Sequence, residues 1–120
     1  MLASEVRMGN TSLASKALSP DAAETLKQLG ANIKEARVRR GMTQVELATR
    51  ASTSHAALGR LERGEPSVGI GILVQVLDVL GLAGGLGQVA DPDMDEVGKS
   101  LQQLKSPKRV RAKKRDDLDF

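Results

Sequence analysis

A single histidine, no cysteine and eighteen lysines and arginines bound the chemistry open to this chain of 120 residues. His55 has neither a second histidine nor a thiol with which to hold a metal, and without cysteine there is no thiolate nucleophile. The glycines do not form a phosphate cradle. Gly69-Ile70-Gly71 and the run from Gly84 to Gly87 fit neither the dinucleotide-binding spacing nor that of the P-loop. Asp93 and Asp95 are paired carboxylates, but they fall in a turn-like, solvent-prone segment. These features argue against an enzyme, a metal and a cofactor. What remains is recognition by charge and hydrogen bonds. The guanidinium fork of Arg60 matches guanine O6 and N7, or a phosphate. Arg37, Arg39 and Arg40 cluster, and six of the eight residues from Lys108 to Arg115 are basic, before Asp116, Asp117 and Asp119 reverse the sign. The formal net charge of +3 singles out no segment, because residues 1–20, 21–80 and 81–120 each carry one excess cation.

The elements that position these side chains must form an aliphatic core. Hydrophobic residues make up 40% of the chain, yet the one aromatic is Phe120. The length suits one small domain with tails. Residues 1–18 lack any period and read as a flexible arm. Ser19-Pro20 opens a helix whose apolar positions Ala22, Leu26, Leu29, Ile33 and Ala36 recur every three or four residues until Gly41 stops it. Gly30 interrupts that helix at a cost of about 1 kcal/mol relative to Ala, which points to a weak place or a close contact. Thr43-Gln44-Val45-Glu46 is a capping box opening a short helix. Ala51-Ser52-Thr53 is a break of turn length. Ser54 caps a second short helix, and Ser67 opens a fourth helix that ends at Gly81. The Gly-rich stretch 82–92 reads as a dimerisation strand or a linker, and 93–120 as a mostly disordered tail with a short helix near 94–104. Residues 1–20 contain no secretory apolar run, and Ile70 to Leu80 is broken by Gln75 and Asp78 and too short to span a bilayer. The expectation is a cytoplasmic protein without membrane contact.

Two short helices joined by a turn of three or four residues form a helix-turn-helix unit, whose second helix can enter the major groove of DNA. His55, Ala56, Gly59 and Arg60 share one face of that second helix, while Ala57, Leu58 and Leu61 turn inward. Arg39, Arg40 and Arg63 suit phosphates, and Gln44 and Ser54 stand at the starts of the two helices.

The run from Met42-Thr43-Gln44-Val45-Glu46-Leu47-Ala48 to Leu58-Gly59-Arg60-Leu61-Glu62-Arg63-Gly64-Glu65 resembles the Xre family of bacterial and phage repressors. The resemblance covers roughly residues 29–81. It implies an all-α, lambda-repressor-like bundle of four to five helices that binds palindromic double-stranded operator DNA as a homodimer, without catalysis. It also implies that Arg37 pairs with Glu62 and so orients the second helix, a role that fits two residues flanking inward positions. Ser52, where members usually carry Gly, and Gly59 depart from the family pattern.

The core followed by a strand and a tail ending in Leu118-Asp119-Phe120 is similar to antitoxins of HipB type. That likeness implies repression of the protein's own operon and a HipA-type kinase toxin as partner. Leu118 and Phe120 are then its anchors, in a tail with too little apolar surface to fold alone. A free-standing Xre-type regulator with no toxin, and an interaction subunit that never meets DNA, are the alternatives.

Overall fold

The computed structural model describes residues 17–105. The arm expected before that range, the basic run Lys108 to Arg115, and the anchors Leu118 and Phe120 lie outside the described residues. Six α-helices and one 3-10 turn make up the described part, with no strand among them. They are α1 (Pro20–Arg39), α2 (Gln44–Arg50), α3 (His55–Glu62), α4 (Ile70–Val79), α5 (Ala83–Gly87), the 3-10 turn Pro92–Met94, and α6 (Glu96–Leu104). The fold is thus a helical helix-turn-helix bundle, and the chain divides into one compact unit up to Leu86 and another from Gly87.

Local chemistry sets the helix starts. Ser19 Oγ accepts from Ala22 N–H at 3.1 Å with Pro20 in the first turn, and Ser54 Oγ accepts from Ala57 N–H at 3.0 Å. In α2 both halves of the capping box close at 3.1 Å, Thr43 Oγ1 accepting from Glu46 N–H and Glu46 Oε1 from Thr43 N–H. The helix ends share one device. After α1, α2, α3 and α4 the chain enters the left-handed region, at Gly41 (φ +67), Ser52 (φ +55), Gly64 (φ +75) and Gly81 (φ +78). At each, the next amide bonds back to the carbonyl five residues earlier, as Met42 N–H does to Arg37 O and Thr53 N–H to Ala48 O. Three of these sites hold glycine and one holds serine.

Ile33, Leu47, Leu58 and Val76, one from each of α1 to α4, are the fully buried large side chains. Ala36, Ala48, Ala51, Leu61, Leu77 and Leu80 complete the core, which is wholly aliphatic. Packing α3 against α1 requires Gly30. A Cβ there would stand 2.5 Å from Leu61 O and 2.6 Å from Glu62 O, so α1 lies directly on the last turn of α3. Gly64 is pinned twice, since its Cβ would also meet Lys27 Cα at 2.6 Å.

Three expectations need correction. The stretch read as a strand or linker contains the helix α5. Ala83 and Leu86, three residues apart, both pack on the core, whereas strand alternation would have put Ala83 and Leu86 on opposite faces. Helix α4 starts after Gly69 rather than at Ser67. Val68 packs on the core from the connecting turn, and Gly69 O takes the first amides, from Ile72 and Leu73. Finally, residues 94–104 are not one helix. Asp91 caps the 3-10 turn, and Asp95, whose Oδ1 accepts from Gly98 N–H at 2.9 Å, starts α6 afresh.

Candidate nucleic-acid interface

Helix α3 presents two different ends. At its start Ser54, His55 and Ala56 are exposed; Ala57 and Leu58 are buried; Arg60 is half-buried; Leu61 and Glu62 are buried again. The outward face of the helix is therefore His55, Ala56 and Arg60. The Arg60 side chain has no hydrogen-bond or ion-pair partner among the described residues, so its guanidinium remains available. Helix N-termini favour anions through their free amides and dipole, although Ser54 already takes one of the amides.

The far end is held by a buried fork. Arg37 Nε donates to Glu62 Oε2 at 2.7 Å and Nη2 to Oε1 at 3.1 Å, with side-chain exposures of 10% and 3%. Arg37 Nη1 donates to Met42 O at 2.9 Å, which ties the end of α1 to the approach of α2. Two charges taken from water are tolerated in such a place only when their remaining donors and acceptors are met. Here they are, since no buried side-chain polar atom among the described residues lacks a partner.

Gln44 supplies part of that satisfaction and joins the two ends. Its Nε2 donates to Glu62 Oε1 at 2.9 Å, and its Oε1 lies 2.8 Å from His55 Nε2. The orientations follow from elementary rules. An arginine-paired carboxylate only accepts, so the amide must turn its NH2 toward Glu62 and its oxygen toward His55. His55 Nε2 must then carry a proton, and Arg37, Glu62, Gln44 and His55 form one directional chain. Sequence reasoning placed Gln44 at a helix start and missed this strut. The signal was there in outline: Gln44 and His55 are the first residues of consecutive helices in a helix-turn-helix.

Gly59 departs from expectation. It was read as part of the open face, yet it is buried, and Arg63 Nη1 lies 3.3 Å from where its Cβ would stand. The missing side chain makes room for Arg63, which is itself bound to Glu65 at 2.8 Å. The basic cluster of α1 also divides. Arg37 points inward, Arg40 Nη1 donates to Ala36 O at 2.8 Å, and Arg39 stands 3.5 Å from Glu35. Arg39 and Arg40 share an open pocket of about 320 Å³ with Asn32, Glu35, Ala36 and Leu82, to which no residue of α3 contributes. Gln44, Ser54, His55, Ala56 and Arg60 thus belong to the two helix starts and the outward face of α3, whereas Arg39 and Arg40 belong to the end of α1.

Among the described residues no helix is long and apolar enough to cross a membrane. No curated protein and no solved structure matches the chain. Residues 28–86 match the family model of the helix-turn-helix domain, a range that takes in the whole Gly30, Arg37, Gln44 and Glu62 framework together with α3. Residues 28–86 are therefore similar to helix-turn-helix domains, in agreement with the helix pair α2 and α3.

Proposed function

We propose that this protein is a transcriptional repressor that reads a specific operator in double-stranded DNA as a homodimer. The observation that carries the reading is the free outward face of α3, His55, Ala56 and Arg60, on a helix whose other end is locked to α1. In this reading Arg60 recognises a base edge, His55 and Ala56 contact bases, and Ser54 and Gln44 align the helix starts with the backbone. Arg39, Arg40 and Arg63 bind phosphates, and Gly59 contributes by admitting Arg63. Two half-sites would lie about one helical turn apart, roughly 34 Å. Footprinting over the protein's own upstream region tests the proposal, with affinity expected to fall steeply with salt as counterions are released. Arg60→Ala should weaken the specific site by about 1–3 kcal/mol and relax selectivity at one base position while leaving the melting temperature unchanged. Equal binding to scrambled duplexes would remove the reading.

A finer proposal makes the repressor the autoregulating antitoxin of a HipA-type kinase toxin. Only the likeness of the tail, Leu118-Asp119-Phe120, supports it. A toxin gene beside this one, and a complex that weakens when residues 118–120 are deleted, are the expected results; a free-standing Xre-type regulator would show neither.

A further inference from the structure

Helix α6 has an apolar stripe that stands exposed among the described residues. Val97, Leu101 and Leu104 recur at the four- and three-residue spacing that puts them on one face, and Met94 ends the 3-10 turn just before the helix. They are 71%, 54%, 79% and 76% exposed. A lone helix of nine residues gains little from propensity and is ordinarily held by packing of its apolar face. The charges around this stripe are arranged unequally. On the opposite face Glu96 and Lys99 answer each other at 3.5 Å. Along one edge, however, Asp95 folds its carboxylate over Gly98 at the start of the helix, and Lys105 stands at its end. Lys105 has no ion pair among the described residues.

We infer that α6 is a self-association surface and that its occupant is α6 of a second copy, packed antiparallel about a two-fold axis near residue 101. A two-fold contact requires a patch that complements itself. Antiparallel packing meets that requirement. It sets Asp95 of each copy beside Lys105 of the other, opposes the two helix dipoles, and lays Val97 against the second copy's Leu104. Gly98 and Ser100, flanking the middle of the stripe, let the helices approach. Eight large apolar side chains, four from each copy, offer on the order of 1,000 Å² of contact, the size at which a specific interface becomes possible. The inference rests on the homodimeric part of the reading above and is independent of DNA binding.

The test uses the full chain in sedimentation and cross-linking. The wild type should be dimeric. Leu101→Asp should raise the dimer dissociation constant about 30-fold or more, as the loss of a central hot spot does. Lys105→Glu, outside the stripe, should weaken the dimer by placing an acid opposite Asp95. Circular dichroism of both variants should keep the helicity of α1 to α5, since Leu101 belongs to no core there, and should lose at most that of α6. Because the chain has no cysteine, Val97→Cys and Leu104→Cys can be oxidised cleanly. Disulfides should form only when the two variants are mixed. A monomeric wild type, a Leu101→Asp variant that dimerises unchanged, or bridges formed by each cysteine variant alone would overturn the inference. A dimer that depends on Leu101 but ignores operator DNA would instead sink the repressor reading and leave this one standing.

Discussion

The two ends of α3 are built by opposite means. The C-terminal end is fixed from outside the helix, by Gly30 of α1 lying on Leu61 and Glu62 and by the buried fork from Arg37. Ahead of the buried Ala57 and Leu58, the N-terminal end is held by its own Ser54 cap and by one amide of α2, and Ser54, His55 and Ala56 face solvent. Rigidity and availability are thereby assigned to different turns of one short helix. Anchoring the last turn to the longest helix in the bundle orients the whole rod without spending any side chain of its open face. Gln44 carries part of that orientation forward to His55.

The strongest way to break this arrangement is to remove one member of the fork. Glu62→Ala should destabilise the fold by about 3–5 kcal/mol, because it leaves the Arg37 guanidinium buried and uncompensated. It also frees the Gln44 amide, so operator affinity should fall by more than the loss of folded protein accounts for. Replacing the pair together, with Arg37→Met and Glu62→Leu, should restore most of the stability, since a packed apolar pair avoids the desolvation of two charges. Denaturant melts of the three proteins decide. If Glu62→Ala alone melts within about 1 kcal/mol of wild type, the fork does not anchor the helix.

Much of this was legible because it is written in local residue types. The Thr43 and Glu46 box, the Ser19 and Ser54 caps and the terminating glycines each have a short-range cause, and the observed helices obey them. The fork between Arg37 and Glu62 was reachable only through family resemblance joined to the inward neighbours of both residues. The surroundings of Gly59 and Gln44 were not legible, for a shared reason. The face on which a residue lies follows from helix geometry, but what then covers it depends on a long side chain from elsewhere: Arg63 over Gly59, Glu62 and His55 around Gln44. Composition misled at Ala83–Gly87, where three glycines read as strand or linker. The pull of Ala83 and Leu86 toward the core outweighed the poor helix propensity of that run.

The entrance to the open end contains a smaller, correctable strain. Of the four left-handed residues that end α1 to α4, only Ser52, immediately before the cap of α3, has a Cβ. An L-residue there crowds its own carbonyl by about 1–2 kcal/mol, while glycine pays up to roughly 1 kcal/mol more in backbone entropy on folding. Ser52→Gly should therefore stabilise the protein by about 0.5–1 kcal/mol, opposite in sign to Glu62→Ala, and leave DNA selectivity unaltered. A lower melting temperature would mean that the serine makes a compensating contact in this turn.

The smallest effect sharpens the comparison from the side of α2. Gln44 is the first residue of a helix whose start is closed by Thr43 and Glu46, so the strut to His55 is only as firm as that box. The Thr43 backbone N–H, then its hydroxyl, and then the charge of Arg50 hold the Glu46 carboxyl below its usual range. A depressed carboxylate adds stability that is complete above the unfolded-state value of about 4.3 and is lost as pH falls through the lower folded value. Glu46→Gln retains an oxygen to accept from Thr43 N–H but cannot titrate. The wild type should thus lose stability between about pH 5 and pH 3 slightly faster than the Gln variant, with every other carboxylate common to both. Because Glu46 is exposed, the difference should shrink further in high salt, where the Arg50 contribution is screened while the backbone hydrogen bond persists. Parallel pH profiles for the two proteins would show that the box closes without the charge.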